Sequence, residues 1–364
     1  QLVNILHIYK DYYPVLGGIE NHIRVLAEAQ AAAGYDVTVL VCAPGHRTHR
    51  ETLNGVRVIK AGRLLTAASM PISLAQPVIL ASLRADIVHL QSPYPLGEIA
   101  NYLTRRAKAT VISYQSDIVR QRRTLRLYGP LLRRVLGHAD RIVASSPRYI
   151  ETSEWLRPVR DRCTVVPLGI DISRFSPPAE PYAGPATLLF VGRLRYYKGL
   201  DTLIRAMPAL EGVHLQVVGD GPMRAPWERL STELGVQERV RFLSEVSDAE
   251  LPRLYHRANA FVLPANARAE AFGTVLLEAM ASGLPCVTTE VGTGTSWVVQ
   301  DGVTGAVVPP CNPHALAEAV AGIVRDPLKQ REMGQAGRAR VEAEFTRDRM
   351  IQRIEAVYAE ALAA

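Results

Sequence analysis

The sequence has little cysteine: four residues in 364, Cys42, Cys163, Cys286 and Cys311, far apart and none in a CxxC pair. That excludes a disulfide-stapled scaffold and a cysteine-built zinc site, and suits reduced thiols in a cytoplasmic protein. No apolar run reaches 18 residues, so a membrane-spanning helix is not expected. The short apolar run in residues 1–10 (QLVNILHIYK) suits a first buried strand, and no small-residue cleavage site follows it. Aromatics are only 6% of the chain, fewer than a nucleic-acid binder that stacks bases would need, so no nucleic-acid partner is expected. The GxGxxG spacing is missing, and no acidic residue ends the second apolar run, which argues against a dinucleotide oxidoreductase.

What is present suffices for two cores. The length suggests about two domains, and hydrophobic residues reach 48%. The net charge of +7 is uneven: residues 1–176 carry +10 and residues 177–364 carry −3. The basic half can attract anionic head groups or phosphorylated acceptors.

Short Val/Ile-rich runs alternate with longer amphipathic stretches. Val3–Ile8, Asp36–Cys42, Ile87–Gln91, Thr110–Tyr114, Arg141–Ser145 and Thr164–Pro167 read as strands. Ile19, Ile23 and Leu26 fit one face of a helix that Gly34 stops. The stretch 176–185 (SPPAEPYAGP) holds four prolines and can continue neither a helix nor a central strand. After it the alternation restarts with Thr187–Val191, Leu215–Val218, Val240–Phe242, Ala260–Leu263, Pro285–Thr288 and Gly305–Val308. The domains expected are therefore 1–177 and 184–345, with a final helix, 346–364, packing back on the first. In open parallel sheets ligands bind beyond the carboxyl ends of the strands. Two such domains facing each other would share one cleft, which suits a reaction joining two ligands.

Four segments carry chemistry. Gly17-Gly18 stand between the first strand and a helix; they allow close backbone approach and leave helix N–H groups aimed at an anion, and a plain tight loop is the structural alternative. Gly192 to Gly199 (GRLRYYKG) follow a strand directly. Arg193 suits bidentate phosphate binding and Lys198 a point charge, so the loop is a candidate diphosphate cradle. Glu270-Ala271-Phe272-Gly273 runs on to Glu278. On one helix the two carboxylates would lie roughly 12 Å apart, from ~1.5 Å per residue. With Glu270 in the loop ahead of the helix, both can face one ligand and accept hydrogen bonds from vicinal hydroxyls. Gly219-Asp220-Gly221-Pro222 is a turn signal by composition.

The order of these segments, with RFLSEVSDAELPRLY and DGVTG, resembles the large retaining glycosyltransferase family 4 along nearly the whole chain. The resemblance implies an α/β, GT-B fold of two Rossmann-like domains, a nucleotide-sugar donor as substrate, no cofactor and no required metal; there is no D-x-D triplet. By position it implies that Arg193 and Lys198 bind diphosphate, that Glu278 binds ribose and that Glu270 touches the transferred sugar. It further implies that Gly192, Ala271, Phe272 and Gly273 give backbone contacts, that Gly17 and Gly18 meet the donor phosphate, and that Val246 borders the base. Ser113 to Ile118 (SYQSDI) resembles a family motif that usually has histidine where Gln115 stands. Glutamine can still donate and accept but cannot titrate. Asp117 is a sugar or acceptor contact or a helix cap. The stretch Arg120–Arg134 (RQRRTLRLYGPLLRR), with six arginines among leucines, is a candidate anionic membrane surface, or a solvated helix face.

Gly292 to Trp297 (GTGTSW), DGVTG and SDIVRQ are similar to bacterial enzymes that add mannose or a related sugar during surface-polysaccharide assembly. The expectation is transfer from GDP-mannose to a glycan or lipid-linked phosphorylated acceptor, with retention, in the cytoplasm or on the membrane's inner face. The alternatives are a UDP-hexose or UDP-N-acetylhexosamine donor, a sugar-nucleotide epimerase, a non-catalytic sugar-nucleotide sensor, and a nucleic-acid binder.

Overall fold

The structure is a computed structural model and describes residues 3–15, 17–67, 70–117, 122–180 and 182–364, with backbone alone over 122–127. The chain divides into two units. Unit 1 is Gln1–Ser145, Ser153–Val166 and Ile351–Ala364; unit 2 is Ser146–Thr152 and Pro167–Met350.

Unit 1 is built on an eight-stranded sheet. Its strands are β1 (Asn4–Ile8), β2 (Asp36–Cys42), β3 (His49–Leu53), β4 (Val56–Ala61), β7 (Ala85–Ser92), β8 (Ala107–Tyr114), β9 (Arg141–Ala144) and β10 (Cys163–Val165). A separate two-stranded ribbon pairs β5 (Leu65–Ala67) with β6 (Met70–Ile72). The order in the main sheet is β10-β9-β8-β7-β1-β2-β4-β3. All pairings are parallel except β3 with β4. Near-continuous burial along β1, β2 and β7 is what a parallel sheet covered on both faces requires.

The β3–β4 hairpin is not visible in the apolar pattern, because β3 is an edge strand and mostly exposed. Its signal is the Asn54-Gly55 turn, both residues at positive φ (49° and 82°), as a two-residue hairpin turn demands. Helices α1 (Gly18–Ala32), α2 (Ala75–Ser82), α3 (Pro95–Thr104) and α4 (Arg122–His138) complete the unit with residues 351–363 of the last helix.

Unit 2 carries a six-stranded, all-parallel sheet of β11 (Thr187–Val191), β12 (His214–Val218), β13 (Val240–Leu243), β14 (Ala260–Leu263), β15 (Cys286–Thr289) and β16 (Gly305–Val308). The order β13-β12-β11-β14-β15-β16 is the doubly wound one, with its switch point between β11 and β14. Its helices are α5 (Pro147–Thr152), α6 (Leu200–Ala206), α7 (Arg224–Glu233), α8 (Leu251–His256), α9 (Thr274–Ala281), α10 (Thr295–Val298), α11 (Pro313–Val324), α12 (Pro327–Glu344) and the start of α13 (Arg347–Ala363).

The units divide at Val166–Pro167, so the proline stretch expected as the boundary lies inside unit 2. The reason is local pairing. Ile170 donates to the Phe345 carbonyl at 2.9 Å and accepts from the Arg347 amide at 2.9 Å, so the chain has joined unit 2 before the prolines. Gly169 permits this, because a Cβ there would stand 2.4 Å from the Thr346 carbonyl oxygen.

Candidate active site

In unit 2 the loops after β11 and β14 meet at the switch point. Gly192 leaves β11 at φ 152° and its amide bonds the Val218 carbonyl at 3.0 Å. The loop runs to Lys198 and turns at Gly199 (φ 66°), where a Cβ would sit 2.0 Å from the Pro264 carbonyl oxygen. The Asn266 amide then bonds the Tyr197 carbonyl at 3.0 Å, tying the two loops together.

Across that seam Lys198 Nζ lies 2.5 Å from Glu270 Oε2. Burial works against the ammonium, but Glu270, helped by Tyr197 and Glu278, outweighs it and holds the lysine pKa above its ordinary value. Lys198 therefore stands within electrostatic reach of both carboxylates.

Glu270 precedes α9 by four residues. Its carbonyl accepts from Thr293 Oγ1 at 2.7 Å, and the Ala271 carbonyl accepts from the Gly294 amide at 2.8 Å. Phe272 is buried against Phe345 in an edge-to-face contact, ring centroids 6.1 Å apart, so only its backbone faces outward chemistry. Gly273 caps α9 in the left-handed region (φ 77°). The amides of Ala271, Phe272 and Gly273 donate to no acceptor among the described residues. Unpaired N–H groups at a helix start suit an anion.

Glu278 lies on α9, half-buried, and accepts from Tyr255 Oη at 2.9 Å. Desolvation pushes its carboxyl up to about 7, against the pull of that hydrogen bond and of Arg174. Arg193 is exposed and its guanidinium takes no hydrogen bond or ion pair among the described residues. The structure thus brings Lys198, Glu270 and Glu278 together and leaves Arg193 unattached on the same loop. Val246 follows β13, at the carboxyl end of the same sheet, and packs half-buried on the core. Gly219 and Gly221 buttress the cradle: Cβ atoms there would stand 2.3 Å from the Gly192 carbonyl oxygen and 2.5 Å from that of Leu194.

Unit 1 has its own switch point, between β1 and β7. Gly17 is the extended N-cap of α1 (φ −165°), and a Cβ there would strike Glu20, whose carboxylate folds back over it. At Gly18 a Cβ would meet nothing within 4 Å, so packing does not explain that glycine. Burial raises the pKa of Glu20. Glu20, the acid of GGIE in the first turn of α1, is a residue the sequence motifs do not single out, although its offset from the glycines is visible.

Gln115 extends β8: its amide bonds the Ser92 carbonyl at 2.8 Å, and its side-chain nitrogen donates to Gln91 Oε1 at 2.7 Å. Asp117 accepts from Tyr114 Oη at 3.0 Å and Ser153 Oγ at 2.9 Å. Ile118, Arg120 and Gln121 lie outside the described residues, as do the side chains of 122–127. Further along α4, Leu132 is buried while Arg133 and Arg134 are exposed. Part of the leucine set expected to meet a membrane is therefore core.

A model described as Glycosyltransferase Family 4 matches residues 16–174, and one described as Glycosyl transferases group 1 matches residues 171–340. A D-rhamnosyltransferase of Pseudomonas aeruginosa is 35% identical, over 94% of this chain and 92% of its own. The chain belongs to glycosyltransferase family 4.

This glycosyltransferase is also 34% identical to O-antigen chain mannosyltransferase C of Escherichia coli, over 96% of each chain. Among solved structures, sucrose-phosphate synthase from Thermosynechococcus elongatus superposes with a TM-score of 0.82 at 25% identity, covering 99% of both chains. The family 4 glycosyltransferase therefore has the GT-B fold class, with two Rossmann-like sheets, and resembles enzymes of bacterial surface polysaccharides. No described helix is long and apolar enough to cross a membrane.

Proposed function

We propose that this glycosyltransferase moves mannose from GDP-mannose, with retention and without a required metal, onto a glycan or lipid-linked acceptor. The single observation that carries the reading is the Lys198–Glu270 pair at the unit 2 switch point, beside Glu278 and the unpaired amides that open α9. A nucleoside diphosphate sugar needs cations and N–H donors for its phosphates, and carboxylates for its ribose and hexose hydroxyls. Both sets occur here within one unit.

In the proposed reaction Arg193 and Lys198 neutralise the departing diphosphate, and the Ala271, Phe272 and Gly273 amides donate to its oxygens. Glu278 accepts from the ribose, while Glu270 and Gln115 orient the sugar. The bond from the anomeric carbon to phosphate oxygen breaks, and the acceptor oxygen bonds that carbon on the same face. The acceptor proton passes to the leaving phosphate oxygen, so no protein nucleophile takes part. The sugar assignment draws on the relatives: D-rhamnose is 6-deoxy-D-mannose, so both names denote manno-configured sugars. Exposed Arg133 and Arg134 support attraction to an anionic acceptor or membrane surface.

The test is a thermal-shift panel of GDP, UDP, GDP-mannose, UDP-glucose and UDP-N-acetylglucosamine, followed by NMR of the product's anomeric configuration. Stabilisation by GDP and GDP-mannose and an α-linked product from the α-configured donor are expected. Stabilisation by the uridine set alone, or an inverted product, would overturn the donor or the stereochemistry.

A further inference from the structure

Below Gln115 runs a chain of buried polar side chains that the proposed reaction leaves unused. Gln115 Nε2 donates to Gln91 Oε1 at 2.7 Å, and Gln91 Nε2 approaches His89 Nε2 at 3.4 Å. Ser113 Oγ is 2.7 Å from that same ring nitrogen, and His89 Nδ1 is 2.7 Å from Tyr358 Oη. Tyr358, on α13, accepts from Gln30 Nε2 at 3.2 Å, and Gln30 Oε1 lies 2.7 Å from His7 Nε2. His7, Gln30, His89 and Gln91 are wholly buried.

A buried chain of this kind has a direction, because each amide offers one donor end and one acceptor end. Gln91 commits its carbonyl oxygen to Gln115, so its nitrogen faces His89. An N–H aimed at Nε2 requires that nitrogen to accept, and the Ser113 hydroxyl, able to donate or accept, then donates to it. His89 is then neutral, with its proton on Nδ1 and donated to Tyr358. Burial, with the neighbouring His7 and His22, holds its pKa well below the ordinary histidine value, in keeping with a neutral ring. The consequence falls at the outer end of the network: the Gln115 nitrogen is engaged and its carbonyl oxygen takes no donor among the described residues.

We propose that Gln91 is a positioning residue: backed by His89 and Tyr358, it holds the Gln115 amide with the carbonyl oxygen outward, so that this position offers a hydrogen-bond acceptor to a hydroxyl of the transferred sugar. The functional half of this inference rests on the assignment of Gln115 to the sugar; the orientation of the network does not. Gln91 touches no substrate and acts only through Gln115.

Two measurements test it. In protein labelled with ¹⁵N-histidine, the His89 ring shifts should show a neutral ring protonated on Nδ1, unchanged between pH 6 and 8. A ring protonated on Nε2 would overturn the orientation. Separately, Gln91→Leu should lower kcat roughly tenfold with KM for the donor little changed, since a misoriented contact is felt in the transition state. In a Gln115→Leu background the same change should have no further effect on kcat. Independent, additive losses would mean that Gln91 acts through general packing and would overturn the positioning role. Full activity of Gln115→Leu alone would overturn the sugar assignment, while the ring tautomer still decides the orientation.

Discussion

Lys198 Nζ and Glu270 Oε2 stand 2.5 Å apart, with side chains only 12% and 10% exposed, and they come from the two loops that border the switch point of the unit 2 sheet. Removing one partner of such a pair leaves the other charge buried, whereas removing both does not. Lys198→Met is expected to cost about 3 kcal/mol of stability, and Lys198→Met with Glu270→Gln to recover most of it. Sugar transfer should stay at least ~100-fold down in both, since the cation proposed to face the departing diphosphate is gone. Denaturant unfolding beside a transfer assay checks this. Equal stability of wild type and Lys198→Met would show that the pair is not a structural unit.

Glu278 should shape the pH dependence of stability. Its folded pKa is raised from 4.5 to about 7 by desolvation, so the native state holds a proton that the unfolded chain has released between those values. Stability therefore falls as pH rises from about 4.5 through about 7. Glu98 behaves alike: burial raises it to about 7, against the hydrogen bond from the Tyr94 amide. Glu278→Gln and Glu98→Gln should each flatten part of that decline in Tm scans from pH 4 to 8. A slope unchanged in both variants would contradict the assignment.

Two glycines separate packing from function. At Gly199 the left-handed backbone and a Cβ position 2.0 Å from the Pro264 carbonyl oxygen leave no room, so Gly199→Ala should lose more than ~1 kcal/mol of stability. At Gly18 the space is open, so Gly18→Ala should melt like the wild type. If the donor phosphate approaches that backbone, Gly18→Ala will still raise KM for the donor. Unchanged kinetics in Gly18→Ala would remove Gly18 from the binding surface.

The strands of unit 2 are legible in the sequence because they are short runs rich in apolar residues: all five residues of β11 and all four of β14 are buried. The sequence motifs also locate the segments that meet at the switch point, since glycines, cations and carboxylates follow strand ends there. What stays hidden depends on partners distant in sequence. Residues 146–152 precede the boundary expected near the prolines, yet they belong to unit 2. There Arg268 Nη1 bonds Thr152 Oγ1 at 2.7 Å and the Gly292 carbonyl at 2.6 Å. The network under Gln115 draws on Tyr358, more than 240 residues away, and no spacing rule connects them.

The central claim, that the loop after β11 holds the diphosphate of a sugar nucleotide, is tested most directly by titrating GDP into wild type and Arg193→Ala by calorimetry. Arg193 is exposed and unattached, so its loss should leave Tm unchanged. Loss of a charge-assisted phosphate contact should weaken GDP binding at least ~10-fold. Equal affinity for GDP in the two proteins, both fully folded, would contradict the account.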